Sequence, residues 1–219
     1  MLTFQDIQND SEIEAYIRAA DKSLAALGYT EHSFAHVTLV AERVAYILGE
    51  LSADERTVEI GKIAAYLHDI GNLVNRIEHS QSGAVMAFTV LSRRGMSPVE
   101  IAEITAAIGN HDEGTGVPVS EIAAALILSD KSDVRRSRVR EVSDLSKDIH
   151  DRVNYSVVDS SLTVDKESMS VTLSLTIDES VATVTDYFEI FLERMLMCRH
   201  AAEKLGLTFH LYINERSMM

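Results

Sequence analysis

The adjacent residues His68 and Asp69 are the first candidates for chemistry in this sequence. They stand at the end of an apolar segment and are followed by Ile70-Gly71. Neighbouring side chains point in different directions on a regular helix, but both can approach one ion if the helix ends there and the backbone turns. Imidazole and carboxylate groups are both transition-metal ligands. Because an Asp at a helix end can also cap the next turn, the metal interpretation depends on further ligands.

Three further polar residues fall on the apolar faces of predicted helices. His36 stands four residues before Val40, and His111 stands three residues after Ile108. Asp130 occupies an inward position of its own helix in the same way. Burying an imidazole or a carboxylate is costly unless the group is paired or bound to a metal. A hydrogen-bonded core histidine, or a capping or ion-pair role for Asp130, would explain each residue singly, whereas one metal centre explains all of them.

The elements that must position these residues are helices within residues 1–150. Apolar residues recur there at helical spacing. The predicted helices begin near Ser11, Glu31, Ser52, His79, Ser97 and Ser120. The clearest start combines Ser97 as the N-cap with Pro98 at the first helical position. The sequence therefore predicts a mainly α-helical unit that carries the candidate ligands.

The pattern changes near Val153. Apolar and polar residues alternate strictly over 169–177, which is the period of a half-buried strand, and more weakly over 158–164. Together they predict a β-hairpin. Apolar spacing over 181–205 then predicts a long amphipathic helix, and residues 207–213 predict a final strand.

These patterns divide the chain into two expected domains. Residues 1–150 would form the helical metal-binding and catalytic domain, and residues 151–219 a small α+β unit. Because so short a unit provides little surface to cover its apolar strand, we expect it to act as a lid over the site or as a homodimer interface.

The order of six candidate ligands resembles that of the HD superfamily, named for its His-Asp doublet. The residues are His36, His68, Asp69, His79, His111 and Asp130. The resemblance covers about residues 31–140. Residues 79–84 are similar to the His-x-x-x-Gly-Ala step of bacterial HD proteins that cleave diadenosine tetraphosphate. Residues 110–116 are similar to their His-Thr-Thr-Gly turn, and also to the region around the Gly-Tyr-Pro motif of cyclic dinucleotide phosphodiesterases.

The resemblance implies an HD-domain helical bundle with two divalent transition-metal ions per chain. One ion would be held by His36, His68, Asp69 and Asp130, and the second by His79 and His111, with Asp69 bridging. Mixed imidazole and carboxylate ligands suit iron, manganese, cobalt, nickel or zinc better than calcium or an all-oxygen magnesium site, and iron is the ion we expect. Such ions would activate a shared hydroxide for in-line attack on a phosphomonoester or phosphoanhydride, which makes His68 and Asp69 catalytic as well.

The sequence departs from the family pattern at Asn72, where many relatives have Lys three residues after the Asp of the doublet. Lys131, directly after the last ligand, is our candidate for a catalytic cation in its place. Asp112 and Glu113 could orient a ligand histidine or act as a general acid. The alternative for both is an exposed loop carboxylate.

A basic cluster follows the last ligand. Its members are Lys131, Arg135, Arg136, Arg138 and Arg140. We expect Arg135 and Arg136 to bind substrate phosphate through paired hydrogen bonds. His32, one helical turn before His36, is a further substrate-binding candidate. The alternative for each is a side chain that faces solvent.

Bulk properties restrict the partners. The formal net charge of −14 disfavours a nucleic-acid polymer as the ligand. The sequence has no apolar run of membrane-spanning length and no secretory signal, and its single Cys198 suits a reducing compartment. We therefore expect a cytoplasmic protein without a membrane partner.

Three functions fit these observations. The first is hydrolysis of a small phosphorylated metabolite, a nucleotide being the expected class. The second is an HD-type di-iron oxygenase, because that class resembles the same ligand order. The third is a non-catalytic, ligand-sensing or structural HD module.

Overall fold

The computed structural model describes residues 1–140 and 148–219. The described residues before position 141 form seven α-helices. They are α1 (Phe4–Gln8), α2 (Ser11–Ala26), α3 (Phe34–Glu50), α4 (Glu55–Leu67), α5 (His79–Arg93), α6 (Pro98–Gly109) and α7 (Glu121–Lys131). Short 3-10 turns follow α4 (Ile70–Leu73) and α7 (Arg136–Arg138). The predicted helices are all present, and α1 was missed because five residues show too little periodicity.

Two of these helices have an aspartate as their N-cap. The N-cap of α2 is Asp10, whose side chain accepts hydrogen bonds from the backbone N–H groups of Glu12 and Ile13. Asp54 caps α4 in the same way, while Ser52 adopts a left-handed conformation in the preceding turn. An Asp carboxylate is as good an N-cap as a Ser hydroxyl and also stabilises the positive end of the helix dipole.

The C-terminal part is a small α+β unit, as predicted. It contains α8 (Ile149–Ser156), β1 (Val157–Asp165), β2 (Ser170–Ile177), α9 (Val184–Lys204), β3 (Thr208–Ile213) and β4 (Arg216–Ser217). The four strands form one sheet in the order β1-β2-β3-β4. Strands β1 and β2 form the expected antiparallel hairpin. Strand β3 lies parallel to β2, which requires a long crossover, and α9 supplies it.

Helix α7 lies at the centre of the core. Residues 122–128 are all at most 5% exposed, so this helix is covered on every side. It packs against α3, α4 and α6 of the helical part and against α9 of the C-terminal unit. Its last turn carries Asp130 and Lys131. The same packing therefore connects the C-terminal unit to the region of the candidate ligands.

The apolar face of β2 is covered within the chain. Val171, Leu173 and Leu175 are buried, and α9 packs against both β2 and β3. A second copy is not needed to cover this face, so the homodimer stays a prediction without that support. The domain boundary expected at residue 150 falls inside α8 and also stays a prediction. Within residues 1–140 and 148–219, no helix combines the length and apolar character needed to cross a membrane.

Candidate metal centre

The six predicted ligands lie together where several helices begin or end. His36 is in the first turn of α3, His68 and Asp69 follow α4 directly, and His79 is the first residue of α5. His111 follows α6, and Asp130 is in the last turn of α7. A helix end lets the backbone change direction, so consecutive residues such as His68 and Asp69 can approach one point. This arrangement was the one expected from the Ile70-Gly71 helix end.

The first group of ligands surrounds the Nε2 atoms of His36 and His68, which are 3.3 Å apart. His36 Nε2 is 3.3 Å from Asp130 Oδ1, and His68 Nε2 is 3.3 Å from Asp69 Oδ2. The cross distances, from His36 to Asp69 and from His68 to Asp130, are both 3.6 Å. His36, His68 and Asp130 can thus offer ligand atoms to one ion.

The second group is built around His79 and His111, whose Nε2 atoms are 3.1 Å apart. His79 Nε2 lies 3.5 Å from Asp69 Oδ1. Asp69 therefore presents Oδ2 to the first group and Oδ1 to the second, which is the arrangement a bridging carboxylate needs. His68, Asp69 and His111 form the other ligand set that could hold an ion.

All four imidazoles have Nδ1 beside an oxygen acceptor. The acceptors are Asp133 Oδ2 for His36 (2.7 Å), the Ala65 carbonyl for His68 (2.6 Å), the Ile108 carbonyl for His111 (2.6 Å) and the Arg76 carbonyl for His79 (3.1 Å). Because these oxygens can only accept, Nδ1 carries the proton in each ring. The Nε2 lone pairs therefore face one another and the carboxylates, as in histidine ligands held by a surrounding hydrogen-bond shell.

This donor set fits a divalent transition metal. His36 and His68 are fully buried, and Asp69 is 5% exposed. Among the residues that the structure describes, Asp69 Oδ2 has no hydrogen-bond partner, and its approach to His68 lacks hydrogen-bond alignment. Facing lone pairs and an unpartnered buried carboxylate oxygen are stable together only if positive charge lies between them. A metal ion with nitrogen and oxygen ligands meets that requirement.

The pKa shifts within the cluster also favour a positive charge at this site. Burial alone would lower the pKa of His68, but Asp69 and Asp130 outweigh it and raise that pKa to about 10. Burial would raise the pKa of Asp69, but His68 lowers it well below its usual range. Burial would likewise raise the pKa of Asp130, but Lys131 and the adjacent His36 and His68 rings lower it well below its usual range. Both carboxylates are thus ionised at neutral pH, and the centre attracts cations.

Asn72 supports Asp69 where many relatives have Lys. Its Nδ2 donates to Asp69 Oδ1 at 2.9 Å and to the Asp69 carbonyl at 3.0 Å. Lys131 lies next to another candidate ligand, with Nζ 2.7 Å from Asp130 Oδ2. Burial lowers the pKa of Lys131, but Asp130 and Glu113 raise it overall, so the ammonium stays charged. The cation suggested from the sequence therefore lies beside a candidate ligand.

A polar cavity opens onto this centre. It is lined by His32, Asp69, Arg76, His79, His111, Asp130, Lys131, Arg138 and Arg194. Three of its cations were not proposed as site residues from the sequence. Arg76 precedes α5, Arg138 lies in the 3-10 turn after α7, and Arg194 comes from α9. Only Arg138 carried a signal, as a member of the basic cluster.

The structure does not bring Arg135 and Arg136 to this cavity. Arg135 Nε donates to Asp133 Oδ1 at 2.7 Å. Arg136 lies over the Tyr155 ring and donates to the Tyr155 carbonyl. Their predicted role in substrate binding has no contact to support it here. Asp133, which the sequence reasoning missed, is fully enclosed between His36, Arg135 and Arg138.

The remaining candidates from the sequence, His32, Asp112 and Glu113, lie near the centre. His32 lines the cavity, and its Nδ1 donates to the Thr30 carbonyl at 2.7 Å, which leaves Nε2 for a ligand. Asp112 Oδ1 is 4.0 Å from His79 Nε2. The Glu113 side chain is only 17% exposed and lies 3.3 Å from Lys131, so the alternative of an exposed loop residue is wrong for Glu113.

A buried cluster of imidazoles and carboxylates at converging helix ends defines this molecule as a helical protein with a candidate site for divalent metal ions. The chain belongs to the HD domain family, whose model matches residues 31–151. The membership expected from the order of the ligands is thereby confirmed, and divalent-metal binding is a property of that family.

Two relatives show how far the similarity extends. An uncharacterised protein of Methanocaldococcus jannaschii is 22% identical over 162 residues, which cover 64% of this chain. The match covers 62% of that protein, so the chain spans less than two thirds of its length. The crystal structure of a predicted HD superfamily hydrolase from an uncultured Thermotogales bacterium is 27% identical, with a TM-score of 0.45. That match covers 57% of this chain and 67% of the other.

Proposed function

We propose that this protein is a metal-dependent phosphohydrolase that acts on a small phosphorylated metabolite, with a nucleotide as the preferred class. The observation that carries the proposal is the composition of the cavity. Its lining combines candidate metal ligands with four cations, Arg76, Lys131, Arg138 and Arg194. A phosphate group is the anion that such a combination of metal and guanidinium groups recognises.

The candidate ligands would have different roles in holding the two ions. His36, His68, Asp69 and Asp130 would hold one ion, and His79, His111 and the second oxygen of Asp69 the other, with iron or manganese as the preferred metals. When bound, the ions would supply Lewis-acid activation of a water molecule and of the phosphoryl group. Asp133 keeps the His36 ring oriented through Nδ1. Asn72 keeps Asp69 oriented through Oδ1.

The basic side chains would bind and orient the substrate. Arg138 is held rigidly, because its Nε donates to the Glu31 carbonyl and its Nη1 to the Asp133 carbonyl. Arg76 is 3.3 Å from His79 Nε2 and so lies directly beside the centre. His32 offers Nε2 to a phosphate oxygen. Neutralising the phosphate before attack lowers the barrier, because the attacking group is itself negative.

The dimensions favour a small substrate. The inner cavity has a volume of about 10 Å³, and an outer cavity beside it has a volume of about 120 Å³. They share His32, Arg76, Arg138 and Arg194, and Tyr29 and Phe191 also line the outer cavity. A phosphate at the shared arginines would leave the outer cavity for the rest of a small metabolite, and the net charge of −14 disfavours a polymer.

The first test is the metal content of protein purified without chelator. We expect about two transition-metal ions per chain in the wild type and about one in His79→Ala. His200→Ala, at an exposed position of α9, is the matched control and should keep the wild-type content. Absence of metal in the wild type, even after anaerobic reconstitution, would overturn the metal centre.

The second test is phosphate release from nucleoside monophosphates, sugar phosphates and p-nitrophenyl phosphate, with Fe(II) or Mn(II) under anaerobic conditions. We expect release that disappears in Asp69→Ala. Inactivity toward every phosphate ester would overturn the hydrolase proposal. Substrate-dependent oxygen consumption by the iron-loaded protein would instead favour the oxygenase alternative.

A further inference from the structure

Glu113 lies between two cations from different parts of the chain. Its Oε1 is 3.3 Å from Lys131 Nζ and 2.6 Å from Arg194 Nε. Both contacts are ion pairs without hydrogen-bond alignment, since Glu113 Oε1 has no hydrogen-bond partner among the described residues. Lys131 Nζ also lies 2.7 Å from Asp130 Oδ2. The four side chains therefore form a line of alternating charge, which we call the charge line: Asp130, Lys131, Glu113 and Arg194.

The charge line is shielded from solvent. The side chains of Asp130 and Lys131 are 12% and 5% exposed, and those of Glu113 and Arg194 are 17% and 23% exposed. Solvent screens the interactions between these partly buried charges only weakly. Leaving one of the four charges without a partner would therefore cost free energy. Each of the two middle groups has an opposite charge on both sides. Removing one group therefore changes the position and charge of its neighbours.

The end of the charge line is a candidate metal ligand. Asp130 turns Oδ1 toward His36 and His68, while Oδ2 is occupied by Lys131. Lys131 thus occupies one carboxylate oxygen and leaves the other facing the two histidines. Lys131 is itself held by Glu113, which Arg194 of α9 holds from the other side.

We propose that Glu113 and Arg194 are positioning residues that hold Lys131 against Asp130, so that helix α9 of the C-terminal unit sets the charge at the metal centre. The inference rests on the proposed metal centre but does not require any particular substrate. It assigns the C-terminal unit a role within the active site.

The charge line predicts opposite effects for substitutions of Glu113 and Arg194. In Glu113→Gln, Lys131 and Arg194 lose their shared carboxylate, and the surroundings of the metal centre become more positive by one charge. In Arg194→Gln, the surroundings become more negative by one charge. In the double variant, one negative and one positive charge are removed, so the net charge of the wild type is restored. A role limited to folding would not produce opposite signs or a restoration.

The test is calorimetric titration of Mn(II) alone into the metal-free, full-length protein. We expect Glu113→Gln to weaken Mn(II) binding about tenfold and Arg194→Gln to strengthen it about threefold. The double variant should return to within about threefold of the wild type, and Arg194→Lys should remain near it. Arg199→Gln, at an exposed position of the same helix, is the control and should bind as the wild type does.

Two results would overturn the proposal. One is wild-type affinity in Glu113→Gln, and the other is a double variant that binds no better than Glu113→Gln. If Glu113→Gln does not fold, Arg194→Gln alone tests the proposal. Unchanged or weaker Mn(II) binding by Arg194→Gln would contradict the proposed role of the charge line. Failure of the wild type to bind Mn(II) would overturn the metal centre as well, which distinguishes the two failures.

Discussion

The Nε2 atoms of His36 and His68 lie 3.3 Å apart in the buried centre, although both rings donate their Nδ1 protons elsewhere. Two neutral imidazoles in this arrangement turn lone pairs toward each other. The contact is tolerable only if one ring gains a proton or if a cation lies between them. Asp69 and Asp130 stabilise that positive charge from the sides. This relationship between two residues 32 positions apart is the basis for the metal centre.

Asp133 should control metal affinity without being a ligand. Asp133→Asn keeps the shape of the side chain but removes the charge that orients the His36 ring at 2.7 Å. We expect Mn(II) affinity to fall by about 10- to 100-fold, as for other groups that support metal ligands. Calorimetric titration measures this, and Asp159→Asn on the exposed face of β1 is the control. Equal affinity in the two variants would contradict the assigned role.

Gly71 should be indispensable for bringing α5 to the centre. A Cβ at this position would overlap the His79 carbonyl oxygen and the Gly83 nitrogen, and backbone atoms cannot move aside as a side chain can. We expect Gly71→Ala to lower the free energy of unfolding by about 3 kcal/mol or more.

The matched control for Gly71 is Gly49 in α3, where a Cβ would meet nothing within 4 Å. Gly49→Ala should leave the free energy of unfolding unchanged or raise it by about 0.5 to 1 kcal/mol. Urea unfolding monitored by circular dichroism compares the two. Similar free energies of unfolding for the two variants would show that α4 and α5 are packed less closely at Gly71 than in the structure.

Arg76 should contribute more to substrate binding than Arg136. We expect Arg76→Gln to raise KM for p-nitrophenyl phosphate about tenfold, with a smaller change in kcat, because a guanidinium beside the centre binds the phosphate. Arg136→Gln should leave KM unchanged, since that side chain lies over the Tyr155 ring, 4.4 Å from its centroid. Steady-state kinetics separate the two. The reverse result would restore the interpretation based on the basic cluster in the sequence.

Cys198 should be unreactive in the folded protein. Burial raises the pKa of its thiol to about 12, so only about one molecule in ten thousand is a thiolate at pH 8. We expect no reaction with Ellman's reagent at pH 8 until urea unfolds the chain, after which one thiol reacts.

The direction of this shift has a consequence for stability. Because the folded pKa of Cys198 is raised, the contribution of the neutral thiol is complete below the unfolded pKa and is lost as the pH rises toward 12. Rapid native labelling at pH 8 would contradict the burial of Cys198.

The sequence by itself determined the helices, the hairpin and the order of the ligands. Apolar spacing of three or four residues marks a helix face, and strict alternation marks β2, because each pattern depends on neighbours within the same element. His36 and His111 were identifiable for that reason, as polar residues at inward positions. The family pattern added His79, which opens α5 and has no inward signal of its own.

Only the tertiary structure decided which charged groups meet the ligands. Arg135 and Arg136 belong to the basic cluster in the sequence, yet Arg76, Arg138 and Arg194 line the cavity. The reason is that α9 packs on α7, and that Arg76, in the segment before α5, lies 3.3 Å from His79 Nε2. Ionic contacts depend on distance in space, and a cation far along the chain carries no local pattern that marks its partner.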